Sequence, residues 1–156
     1  MDMQTYLDLT RLYADYAAAV DTENWEAWVG FFDEDCEYKV QPRENHERGF
    51  PLATMWFISR DMLKDRAYGI RETLFHDPYY QRHVVGAPRI LGLKDGIIES
   101  EANYAVFRTK YDGQSTVFNV GRYIDRIGAG PDGLKFKSRY CIYDSEMIAN
   151  SIIYPI

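Results

Sequence analysis

The sequence predicts an α+β fold, with N-terminal helices packed in a curved antiparallel sheet that wraps them like a cone. Three observations predict it. Apolar residues recur at helical spacing in the first third of the chain. After residue 80, four long runs interleave aromatic and branched residues with polar ones. The breaks between those runs are Lys94-Asp95-Gly96, Asp112-Gly113 and Pro131-Asp132-Gly133, and Asp-Gly favours hairpins because both residues tolerate positive φ. The chain has 156 residues, with no internal repeat, low-complexity segment or linker, and reads as a single domain over 1–156.

The first helix is expected over 5–20, where Leu9, Leu12, Tyr13, Tyr16, Ala17 and Val20 form one stripe and Thr5 with Asp8 marks the start. A second, over 23–32, is capped by Asp21 or Thr22 and buries Trp25, Trp28, Phe31 and Phe32. Cys36 to Val40 alternates as a half-buried strand, and 41–51 reads as a loop. Ala53 to Ile58 is either a short strand or the lead-in to a helix that Ser59 caps and Asp61 favours, with Leu63, Arg66, Ala67 and Ile70 at helical spacing. A loop at Phe75-His76-Asp77-Pro78 leads into strands over 80–93, 97–111, 115–127 and 134–144. The apolar stretch Ile152-Ile153-Tyr154-Pro155-Ile156 either tucks into the cone or docks on another subunit.

Composition excludes several function classes. A net charge of −6 argues against nucleic acid as a partner. No apolar run is long enough to span a bilayer. The start of the chain, MDMQTYLDLTRLY, has neither a basic nor an apolar region of the signal-peptide kind. The chain therefore reads as cytoplasmic, with Cys36 and Cys141 as reduced core thiols. Its 13 tyrosines suit both a core and a protein interface.

The residues offer little chemistry. Paired metal-ligand motifs are absent, and His76, Asp77 and His83 are a weak candidate set for iron. There is no nucleophile elbow and no glycine-rich phosphate loop. General acid–base work remains open. His83 could act with Asp35 or Asp21 as its orienter and Tyr13 or Tyr38 as a donor. The alternative is a structural His83, bonded within the sheet or across an interface. Arg66, Arg71, Arg82 and Arg89 form either a subunit contact or a solvated charged face.

LYADYAAAVDTENWEAWVGFFDEDCEYKV, then DMLKDRAYGIRE, then YQRHVVGAPRI resembles the small (beta) subunit of aromatic-ring-hydroxylating oxygenases over nearly the whole chain. The best markers are Asp61-Met62-Leu63 with Arg66, followed by Arg82-His83 opening a strand. The nearest likeness is to small subunits of salicylate hydroxylases and terephthalate dioxygenase. The usual Arg-His-x-x-Ser-Asn run is replaced by Arg82-His83-Val84-Val85-Gly86-Ala87. The resemblance implies the cone-like, SnoaL-like fold shared with ketosteroid isomerase, scytalone dehydratase and nuclear transport factor 2. It implies a non-catalytic chain with no catalytic, cofactor-binding or metal residue of its own. The partner would be a catalytic large (alpha) subunit, three of each, carrying a Rieske 2Fe-2S cluster and a mononuclear iron. Electrons would come from NAD(P)H through a reductase and ferredoxin, and the substrate would be a benzoate-like acid. The residues set aside for the subunit contact are Arg66, Arg71, Arg82, His83, Tyr154 and Ile156. The rival readings are a free-standing dehydratase or isomerase using His83 and a carboxylate, and a small-molecule binding module.

Overall fold

The computed structural model describes residues 1–145 and 151–156. Helix α1 (Met3–Asp21) starts earlier than the sequence suggests, because the Asp2 side chain accepts the Thr5 N–H at 2.7 Å and takes the capping role. Helix α2 (Trp25–Gly30) is shorter than expected. Glu23 adopts φ 56 and ends any continuation from α1, and Asn24, not Asp21 or Thr22, caps the new helix by accepting the Ala27 N–H at 3.1 Å. Phe32 already belongs to strand β1 (Phe32–Pro42).

The stretch expected as a loop contains one short helix, α3 (Arg43–Glu47), tied by Arg43–Glu47 at 2.9 Å. Its charges sit at i, i+4 spacing, which periodicity of apolar residues cannot reveal. Strand β2 (Met55–Phe57) settles the ambiguity before Ser59 in favour of a strand. Helix α4 (Arg60–Tyr68) is capped by Ser59, whose Oγ accepts the Met62 N–H at 3.2 Å, and it widens into a π turn over Gly69–Thr73.

The run expected as one strand from 80 to 93 is two, β3 (Tyr79–Val85) and β4 (Arg89–Lys94). Pro88 between them has no N–H to give a ladder. Strands β5 (Ile97–Lys110), β6 (Ser115–Gly130) and β7 (Gly133–Tyr143) form the expected meander. The sheet order is β2-β1-β7-β6-β5-β3, and β4 pairs β5 beyond the end of β3. β3 thus lies along the second half of β5, and β4 along its first half. One parallel pair, β1 with β7, joins the start of the sheet to its last strand.

The concave face of this sheet and the inner stripes of α1, α2 and α4 make one core. Phe32, Tyr38, Trp28 and Phe136 meet edge-on or tilted at centroid distances of 5.4–5.8 Å. Gly121 allows the tight crossing of β6 and β7, since a Cβ there would stand 2.0 Å from the Ile142 carbonyl oxygen. Among the described residues, no helix is long and apolar enough to cross a membrane.

Candidate functional site

α1 ends at Asp21, where β3 passes with His83 facing inward. The Asp21 carboxylate accepts the His83 backbone N–H at 2.9 Å and approaches His83 Nδ1 at 2.6 Å. The two groups form an oriented pair, as an acid–base site needs. The His83 ring, however, is 0% exposed, and its Nε2 is buried without a protein partner. The other proposed members lie elsewhere. Asp35 is exposed beside an outer cleft with Glu37, Arg126 and Lys137. The Tyr13 hydroxyl donates to Asp125 and lies 3.0 Å from Ser100 Oγ. The Tyr38 hydroxyl donates to the Ile156 carbonyl at 3.1 Å. Five surface clefts of about 300–540 Å³ are lined by other residues than Asp21 and His83.

The middle of the cone is filled by a pair that sequence reasoning missed. Arg139 donates from Nε and Nη2 to both oxygens of Asp125, at 3.0 and 2.8 Å, with both side chains fully buried. The guanidinium lies over the rings of Tyr123, Phe136, Tyr16 and Tyr13 at 3.8–4.7 Å. Burial pushes the Tyr13, Tyr16 and Tyr123 hydroxyls well above the usual phenol pKa, with the Asp125 charge reinforcing the effect at Tyr13. The signal existed: strand alternation puts Asp125 between inward Tyr123 and Ile127, and Arg139 two residues before inward Cys141. The register sets Asp125 directly opposite Arg139.

The tail goes into the cone. Ile156 is fully buried, and its carbonyl accepts the Tyr16 hydroxyl at 2.6 Å as well as that of Tyr38. Tyr154 is buried against Trp25 and Tyr79. Tyr154, Ile156 and His83, set aside from the sequence for a subunit contact, are thus spent inside their own chain. Arg66 is also turned inward, donating to the Ile153 carbonyl at 2.8 Å. Arg71, Arg82 and Arg89 remain exposed, Arg71 beside Glu72 and Arg89 beside Glu101. Around Arg82 the outer sheet face is apolar: Tyr80 is 60%, Val84 57% and Val117 63% exposed, and Arg82 and Val117 flank Phe107 in the ladder.

His76, Asp77 and His83 are not brought together. His76 Nε2 meets the Tyr154 hydroxyl at 2.8 Å, Asp77 pairs Lys110 at 2.8 Å, and His83 keeps Asp21. No group of three His, Cys, Asp or Glu among the described residues could hold a metal ion. Cys36 and Cys141 are free thiols, pushed by burial up to about 11 and about 12. Neither thiol belongs to a group of potential ligands among the described residues, so these residues do not fit an iron–sulfur cluster or a mononuclear iron.

Residues 16–150 match the family described as ring hydroxylating beta subunit. The small subunit of anthranilate 1,2-dioxygenase from Burkholderia cepacia is 32% identical over 99% of this chain and 96% of its own length. Beta subunit 1 of the terminal oxygenase component of terephthalate 1,2-dioxygenase from a Comamonas species is 29% identical, over 96% and 97%. Among solved structures, a protein described as the beta subunit of an aromatic-ring-hydroxylating dioxygenase from Novosphingobium aromaticivorans superposes with a TM-score of 0.86 at 35% identity, over 95% of this chain and 94% of that one. A scytalone dehydratase-like protein of the same organism, at 19% identity and a TM-score of 0.68 over 96% and 95% of the two chains, shares the fold alone. The chain belongs to the family of beta subunits of aromatic-ring-hydroxylating dioxygenases, oxidoreductases in which it forms part of the oxygenase.

Proposed function

We propose that this chain is the non-catalytic, structural small subunit of a multicomponent Rieske-type oxygenase that acts on a benzoate-like aromatic acid in the cytoplasm. One observation carries the non-catalytic part: the cone interior holds the fully buried Arg139–Asp125 pair among aromatic rings, with Ile156 bonded to Tyr16 beside it. The exposed apolar face around Arg82 supports an assembling role, because contiguous exposed apolar residues mark interaction surfaces. The substrate class is supported by two relatives named for anthranilate and terephthalate, both aromatic carboxylates. In this reading three such chains hold three large subunits in a ring. The large subunits carry the Rieske cluster and the mononuclear iron, and a reductase with a ferredoxin delivers electrons to them. Arg71 and Arg82 belong to the contact.

Co-expression with the large subunit tests this. The expected result is a brown complex, colourless when this chain is purified by itself, that hydroxylates an aromatic carboxylate only when both chains are present. Full activity of the large subunit alone would overturn the reading. The Asp21–His83 pair supports a second reading, a free-standing dehydratase or isomerase. Its buried ring, outside the clefts described above, weighs against it, and that reading requires turnover by the isolated chain that His83→Ala abolishes.

A further inference from the structure

Residues 152–156 are held the way a small ligand is held. The Tyr154 ring lies between Trp25, at a centroid distance of 5.2 Å, and Tyr79, at 4.6 Å. Its hydroxyl meets His76 Nε2 at 2.8 Å. Just before it in the chain, Arg66 Nη2 donates to the carbonyls of Ile153 at 2.8 Å and Ile152 at 3.3 Å. Gln81 Nε2 donates to Pro155 O at 3.4 Å. The wall is aromatic, and its side-chain amide and guanidinium donors converge on acceptor oxygens, as in small-molecule sites.

The wall also offers more than the tail uses. Arg66 Nε, Gln81 Oε1 and His76 Nδ1 are buried without a protein partner, while the Tyr79 hydroxyl faces the backbone N–H groups of Tyr154 and Ile153. Arg66 matters most. It is half-buried, burial lowers its pKa, and no carboxylate stands within ion-pair distance of it among the described residues. Neutral carbonyls compensate a desolvated guanidinium only in part; a carboxylate binds it about twice as strongly as a neutral acceptor does.

We propose that the Tyr154 slot is a binding site for phenolic arylalkanoic acids, which the chain's own tail occupies in their absence. The covalent path from the Tyr154 ring back to the Ile153 carbonyl runs through Cβ, Cα and N. γ-(p-Hydroxyphenyl)butyrate has the same spacer between ring and carboxylate. Its ring fits between Trp25 and Tyr79, its hydroxyl reaches His76, and its carboxylate takes the place of the Ile153 carbonyl at Arg66.

The test uses the full-length chain with Tyr154→Ala, which empties the slot, and follows thermal unfolding. γ-(p-Hydroxyphenyl)butyrate at ten times its dissociation constant is expected to raise Tm by about 3–6 °C. p-Butylphenol, which carries a methyl group in place of the carboxylate, is expected to bind at least about tenfold more weakly. Arg66→Gln in the same background should bring the acid down to the affinity of p-butylphenol. Absence of binding, or equal binding of the two probes, overturns the proposal. Should Tyr154→Ala not fold, hydrogen exchange of residues 152–156 in the wild-type chain decides. Saturating acid should speed their exchange while p-butylphenol does not, and unchanged exchange overturns the proposal.

Discussion

Arg139 is fully buried among aromatic rings in the middle of the cone, and its charge is neutralised by a carboxylate from the neighbouring strand. Removing one member of such a pair strands the other. Asp125→Ala is therefore expected to cost about 3–5 kcal/mol in urea unfolding, and a double replacement by apolar residues of similar volume less than that. The pair was legible in part: alternation predicts the inward direction of both residues and the Pro131-Asp132-Gly133 turn sets their strands side by side, but the exact register, shifted between Arg126 and Ile127, is not written in a single sequence. His83 shows the opposite limit. The sequence marked the residue and offered Asp21 as a partner, yet the consequence of the pairing depends on what surrounds the ring. Asp21→Ala would leave a buried N–H and ring nitrogen unpaired, and a loss of about 1–3 kcal/mol is expected. Under the proposed function, the rate per assembled oxygenase stays unchanged, which activity normalised to bound partner checks.

At the scale of elements, the meander was readable because Asp-Gly turns and alternation agree over three long strands. Pro88 was the overlooked punctuation that divides β3 from β4. α3 escaped because its support is charge pairing on an exposed turn rather than an apolar stripe. The β6–β7 crossing supplies the sharpest element-scale prediction. Gly121→Ala sets a methyl group against backbone, at 2.0 Å from the Ile142 oxygen, where no side chain can swing aside. The strands must part, and a loss of about 3 kcal/mol or more is expected, read as a lowered urea midpoint or as insoluble protein.

For the whole molecule, pH sets the limits of stability. The thiols of Cys36 and Cys141 are pushed up to about 11 and about 12 from 9.0, and the hydroxyls of Tyr16, Tyr38 and Tyr123 also rise, all chiefly through burial. These groups are harder to ionise in the folded chain than in the unfolded one. Their contribution is complete below the unfolded pKa values of about 9–10 and is lost as pH rises towards the folded values. In the acid range, Lys137 holds Asp33 and Lys110 holds Asp77 below the usual carboxylate range. Their contribution is lost as pH falls below about 4, but these pairs are solvated and weak. The urea midpoint should therefore run flat from about pH 5 to 9 and fall more steeply on the alkaline side. Iodoacetamide should leave both thiols untouched until the chain unfolds. The cone itself was legible from element order. The destination of residues 152–156 was not, since an apolar stretch reads the same whether it enters its own core or a neighbour's.

That destination bears on synthesis. Among the described residues the last strand ends at Tyr143, yet the hydroxyls of Tyr16 and Tyr38 and the guanidinium of Arg66 find their acceptors at Ile152, Ile153 and Ile156. On the ribosome these are the last of the described residues to emerge. Until then the aromatic interior stands open to chaperones and proteases. A chain interrupted before Ile152 is thus expected to disappear rapidly in a pulse-chase while a chain that includes residues 152–156 persists, so this short stretch decides whether the core is closed against degradation.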